Sequence, residues 1–175
     1  MRIVAGEWGG RRIQAPPGRA TRPTTDRVRE SWMSAVSPYL DGARVLDLFA
    51  GSGALGLEAL SRGAASAVFV ENGPPALKVL RANVDTLGAA GRAEIVRVDA
   101  IRYVAGLEAG AFDVAFADPP YAEGFAAALL DAFAAVPFAG LLCVEHGRAD
   151  AVPDLPGART RRYGDTCLTF VPAPE

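Results

Sequence analysis

A chain of 175 residues, half of them hydrophobic, can bury one sizeable core and is too short for two ordinary domains. No apolar run approaches the ~18 residues needed to cross a bilayer, and the N-terminus lacks the apolar segment of a signal peptide, so a cytoplasmic protein with no membrane partner is expected. The net charge of −2 conceals an asymmetry: residues 1–30 hold seven arginines against three acids, a net +4 that leaves −6 on the rest, which points to a polyanion gripped at one end.

Residues 1–23 are rich in Arg, Gly and Pro, and β-like pieces around Arg2–Ala5 and Arg12–Gln14 flank the hairpin signal Gly9-Gly10. They are expected to form a basic hairpin arm whose Arg2, Arg11, Arg12, Arg19 and Arg22 meet phosphates, ahead of a compact domain over 24–175. Thr24 is placed to cap a helix starting at Thr25, with Val28, Trp32, Val36 and Leu40 as its apolar face. From Asp41 onward strand and helix alternate. Strands are predicted at Arg44–Leu48, Ala67–Glu71, Ala93–Val98, Asp113–Ala117 and Gly140–Glu145, with helices at Ala54–Arg62, from Pro75 to Leu87, after Asp99, and from Gly124 to Ala135. Arg159–Tyr163 and Thr166–Val171 read as a closing hairpin. Such alternation specifies an α/β fold: a mostly parallel seven-stranded sheet with helices on both faces and one antiparallel strand in the C-terminal hairpin. Cys143 and Cys167 lie in apolar stretches and read as reduced core thiols, and His146 as a loop histidine with no catalytic duty.

Four strand ends carry the chemistry. After the first strand, Gly51-x-Gly53-x-x-Gly56 opens a helix, which suits an anionic group at the helix N-terminus; taken alone it also fits a dinucleotide-binding oxidoreductase. No Gly-Lys-Ser/Thr follows, so it is not a phosphate-binding loop of the nucleoside-triphosphatase type. Asp47, just before the turn, would repel a pyrophosphate but suits an ammonium group, and S-adenosylmethionine carries both an ammonium and a carboxylate. Glu71, 20 residues beyond Gly51, is placed to accept from ribose hydroxyls, and Asp99 from an adenine amino group. Asp118-Pro119-Pro120-Tyr121 ends the fourth strand: two prolines cannot continue a ladder, so the Asp118 carboxylate and the Pro119 carbonyl are held as adjacent acceptors beside the Tyr121 ring. That cradle fits a flat heteroaromatic ring with an exocyclic amine, which neither an oxidoreductase nor a noncatalytic RNA-binding module would use.

Nearly end to end, the chain resembles Rossmann-fold S-adenosylmethionine-dependent methyltransferases, and among them the bacterial RsmD-type 16S rRNA guanine-N2 methyltransferases. The resemblance rests on Met1–Gly6, Gly10-Arg11, Thr21–Ser31, Leu46–Gly53 and Asp118–Tyr121. It implies that Asp47, Phe49, Gly51 and Gly53 hold the methionine end of the donor, with Arg22 and Thr24 nearby, that Glu71 holds the ribose, and that Asp99 and the adjacent Ala100 hold the adenine. Asp118, Pro119 and Tyr121 would hold the target base, and Arg2, Arg11, Arg12 and Arg19 would grip RNA. It implies 16S rRNA within a partly assembled small ribosomal subunit as substrate; a sulfonium methyl is already activated, so no metal is expected, and a monomer is the default. Relatives commonly carry Leu-Phe-Asn where this chain has Trp32-Met33-Ser34, so no role is carried over to Ser34. An adenine-N6 methyltransferase acting on DNA or RNA is the alternative, since the tetrapeptide serves either amine.

Overall fold

In a computed structural model, residues 1–16 and 23–175 are described, the side chains of 23–25 excepted. Arg19, Arg22 and the Thr24 side chain thus lie outside the described residues. Pro23–Val36 forms α1 and Arg44–Leu48 forms β1. Ala54–Ser61 is α2, Ser66–Val70 β2, Pro74–Leu87 α3 and Ala93–Val96 β3. Ala100–Ala105 is α4, Phe112–Ala117 β4 and Phe125–Ala135 α5, followed by β5 (Ala139–Gly147), β6 (Arg159–Tyr163) and β7 (Thr166–Pro172). Among the described residues the seven strands form one sheet in the order β3-β2-β1-β4-β5-β7-β6. The first five are mutually parallel and only β7 runs against its neighbours, as the alternation predicted.

α1 starts at Pro23, so Thr24 lies inside its first turn and not at a cap before Thr25. A proline at the first helical position loses no hydrogen bond, because that N–H has no partner within the helix. Val28, Trp32, Val36 and Leu40 are all buried. Trp32 meets Phe116 of β4 with ring centroids 5.6 Å apart, which fixes α1 on the face shared with α2 and α3. The other face buries Leu46, Leu48, Ala115 and Ala117 under α4 and α5.

The N-terminal hairpin is reduced to one bridge, Arg2 to Arg12, flanked by Ile3 N–H to Arg11 O (3.0 Å) and Ile13 N–H to Met1 O (3.0 Å). It is no free arm. Ile3, Trp8 and Ile13 are buried in the same core as α1–α3. Its backbone is held by a buried carboxylate, Glu58 of α2, which accepts from Val4 N (2.9 Å) and Ala5 N (3.0 Å) and pairs with Arg62 at 3.0 Å. Gly6, at φ +83°, passes so close to α2 that a Cβ would lie 1.8 Å from the Ser61 carbonyl oxygen. This cover explains why α2, apolar on nearly every side, is buried from Gly56 to Ser61.

His146 is a correction: it belongs to β5, is 4 % exposed, and its Nε2 lies 2.8 Å from Thr169 Oγ1. It is a satisfied core residue, not a loop side chain. Cys143 and Cys167 are free and buried, as expected.

Candidate active site

The chain leaves β1 toward β2 and β3 and returns to the other side of β1 as β4, so the crevice between β1 and β4 is the topological switch point of the sheet. A cleft of about 730 Å³ opens there. Asp47, Phe49, Gly51 and Ser52 line one wall, and Asp118, Pro119, Pro120 and Tyr121 the other. Residues that stand about seventy apart in sequence thus face one space.

The β1 turn is tight. Phe49, Gly51 and Gly53 all have positive φ (56°, 57° and 81°), and the non-glycine Phe49 is braced by Phe125 at 5.3 Å between ring centroids. At Gly56 a Cβ would lie 2.4 Å from the Phe69 ring and 3.1 Å from Asp47 Oδ2, so the third glycine lets α2 close on β2 and on the acid itself. Asp47 Oδ2 accepts from Gly56 N at 2.9 Å. Burial pushes the Asp47 carboxyl well above its ordinary range, the Gly56 N–H opposes that, and the neighbouring Asp118 and Glu71 carboxylates add to the rise. A buried carboxyl beside two further carboxylates makes a place where a cation is favoured.

Glu71 braces the loop. One oxygen accepts from Gly51 N at 2.8 Å, the other from Asn72 N (2.9 Å) and Gly73 N (2.8 Å). Asp99 caps α4 by accepting from Arg102 N at 2.9 Å, and Ala100, the first residue of that helix, is buried. Glu71 follows β2 and touches the cleft-lining Gly51, whereas Asp99 and Ala100 start α4 after β3; none of the three is among the residues that line the cleft.

On the β4 side, Tyr121 is held in place. Its hydroxyl donates to Glu145 of β5 and lies 3.0 Å from Thr166 Oγ1 of β7. Burial and the bond to Glu145 push the phenol up, so it stays protonated. The next residue, Ala122, is again left-handed (φ 61°), and its N–H donates to Asp150 Oδ1 at 3.1 Å. The other Asp150 oxygen takes the Gly147 N–H at 2.8 Å.

Arg2 and Arg12 are exposed on the hairpin, whereas the Arg11 guanidinium donates to the Thr86 carbonyl near the C-terminus of α3. The sequence reading placed Glu145 at the site's edge but missed Arg29, Tyr163 and Thr166; all four line the cleft. Arg29 is 8 % exposed, donates to Arg2 O at 2.9 Å, and keeps its Nε without a partner among the described residues. Tyr163 reaches Ser31 of α1 by a hydroxyl–hydroxyl bond. The β5–β7 register brings Glu145 and Thr166 beside Tyr121, and no local pattern signals that pairing.

Comparison with known proteins gives a consistent result. A family model described as "Conserved hypothetical protein 95" matches residues 1–172. A Bacillus subtilis protein named "Putative rRNA methyltransferase YlbH" is 40 % identical over 175 residues, covering 95 % of each chain. The Escherichia coli "Ribosomal RNA small subunit methyltransferase D" is 43 % identical over 124 residues, a match that takes in 71 % of this chain and 62 % of that one. The solved structure of "Putative methyltransferase yhhF from Escherichia coli" superposes with a TM-score of 0.84 at 34 % identity, over 97 % of this chain and 96 % of its own.

Proposed function

The chain belongs to the family described as conserved hypothetical protein 95, and on that premise we propose that it transfers a methyl group from S-adenosylmethionine to the exocyclic N2 of a guanine in small-subunit 16S rRNA. One observation carries the reading: Asp118-Pro119-Pro120-Tyr121 and the Asp47–Gly53 turn face each other across one cleft at the switch point. The relatives named as small-subunit rRNA methyltransferases favour guanine in rRNA over the adenine-N6 alternative.

The residues present fit the donor. The buried Asp47 carboxylate, raised by burial and by Asp118 and Glu71, matches an ammonium group, and Arg29 offers a buried cation to a carboxylate in the same cleft. Glu71, Asp99 and Ala100 continue the site toward ribose and adenine. When bound, the sulfonium supplies an already activated methyl group, so no metal or covalent nucleophile is required. The Asp118 carboxylate and the Pro119 carbonyl accept hydrogen bonds from the two N–H groups of the target amine, which turns its lone pair out of the ring and compensates the positive charge that develops on nitrogen. As the N–C bond forms and the donor's S–C bond breaks to leave a neutral thioether, Asp118 takes the surplus proton from the cationic nitrogen and passes it to solvent. Tyr121, fixed by Glu145 and Thr166, stacks the splayed base. The substrate is a partly assembled small subunit, the enzyme a cytoplasmic monomer.

The test is methyl transfer to unmodified 16S rRNA. Asp118→Ala should lower kcat on the order of 10²–10³-fold, as loss of a charge-stabilising group does, with little change in donor affinity by calorimetry. Full turnover in that variant would remove Asp118 from the chemistry.

A further inference from the structure

We infer that the edge strand β6, with Arg148, forms a second RNA-gripping surface on the opposite side of the cleft from the N-terminal hairpin; the inference rests on the rRNA reading above. Four of the five β6 residues are exposed, and three of those are Arg159, Arg161 and Arg162. Arg148 is exposed too, and its N–H donates to Asp165 O at 2.8 Å, which seats it against the β6–β7 turn. Some arginines elsewhere are matched, Arg44 with Asp113 (3.5 Å), Arg62 with Glu58 (3.0 Å) and Arg92 with Glu7 (2.8 Å). None of the four guanidinium groups at this edge has an acidic partner among the described residues, on a body that is otherwise acidic.

Position decides what the patch meets. β6 runs toward the cleft, because Tyr163, Gly164, Asp165 and Thr166 line it. At about 3.3 Å per residue, Arg162 and Arg159 lie roughly 3 and 13 Å back from that rim. The patch is rigidly placed: Tyr163 is tied to Ser31, and the Arg161 guanidinium lies over the Phe170 ring at 5.6 Å. The hairpin bearing Arg2 and Arg12 rests over α2 and α3, near β2. Five strand intervals separate β2 from β6, about 24 Å at roughly 4.8 Å each. That span is short enough for one strand that presents its target base to Tyr121 to pass from one cationic site to the other. Charge alone selects phosphate as the occupant; the competing account is that arginines on an edge strand only deter strand pairing.

The experiment measures binding of unmodified 16S rRNA, as transcript and as reconstituted small subunit, against salt concentration. The triple variant R159Q/R161Q/R162Q should lower the slope of log K on log salt by about 2, at roughly 0.7 per lost contact to a single strand, and weaken binding about 100-fold near 0.1 M salt. Its donor affinity and Tm should match wild type. Arg162→Gln alone, on the strand face away from Phe170, should lower the slope by about 0.7. Lys78→Gln/Arg81→Gln, on the exposed side of α3, is the charge-loss control and should leave the slope unchanged. A wild-type slope in the triple variant, or an equal loss per charge in the control, overturns the proposal. Wild-type protein that methylates no 16S rRNA would instead overturn the parent reading, and this one with it.

Discussion

Asp47 combines two demands that pull against each other. Its carboxyl is buried and its folded-state pKa is raised, so the native chain binds more protons than the unfolded one between the ordinary carboxylate range and that raised value. Stability therefore falls as pH rises through that window and recovers as pH drops below it. Asp47→Asn removes the buried charge and keeps an acceptor for the Gly56 N–H. We expect a higher Tm at neutral pH, a flatter dependence of Tm on pH, and at least ~10-fold weaker donor binding from the lost ammonium partner (~1.4 kcal/mol per decade). Thermal melts across pH and calorimetry would show both; unchanged donor affinity would exclude Asp47 from the site. At Tyr121 the ring and the hydroxyl separate by substitution. Tyr121→Ala loses a stacking plate worth about 1–3 kcal/mol per base and should raise KM for RNA roughly 10- to 100-fold. Tyr121→Phe keeps the ring, loses its ties to Glu145 and Thr166, and should have the smaller effect. Asp47 and Tyr121 stand out in the sequence because each lies beside the glycine or proline turn that closes a strand, whereas Thr166 carries no such mark.

At the scale of elements, the hairpin on α2 is the feature that patterning described least well. Arginine and glycine content suggested an arm reaching for RNA, whereas the structure packs Ile3, Trp8 and Ile13 into the core and uses Glu58 to satisfy the Val4 and Ala5 N–H groups. Glu58→Ala would leave two donors and the Arg62 guanidinium without their acceptor. Leaving buried polar groups unpaired costs about 1–3 kcal/mol, so a loss of that order in urea unfolding is expected, with faster hydrogen exchange at Val4 and Ala5. An unchanged midpoint would mean that the hairpin does not depend on that carboxylate. The strands themselves were legible to within one or two residues: the central ones are apolar runs closed by glycine, proline or an acid, and the arginine-rich β6 was read from the turn Gly164-Asp165 that pairs it with β7. Thr24 was misjudged as a cap since capping chemistry is common to many Thr-Asp pairs, and Pro23 took the first helical position.

For the molecule as a whole, the proposed donor site, built on residues of the folded β1 turn and α1, couples binding to global stability. S-adenosylmethionine at 100 times its Kd should stabilise the fold by about 2.7 kcal/mol, read as a rise in Tm, whereas NAD should give none; the reverse result would favour the oxidoreductase reading of the glycine loop. The sequence by itself determined the alternation of strands and helices, the mostly parallel sheet and the residues at its carboxyl ends. Periodicity, glycine and proline act over a few residues and can be read where they stand. Only the tertiary structure decided that Asp47 meets Asp118 across the switch point, that Glu145 and Thr166 set Tyr121, that Arg29 enters the cleft, and that β6 presents its arginines beside it. Those pairings depend on strand order and on the β5–β7 register, which arise when distant apolar faces close on one core, and no local pattern encodes them.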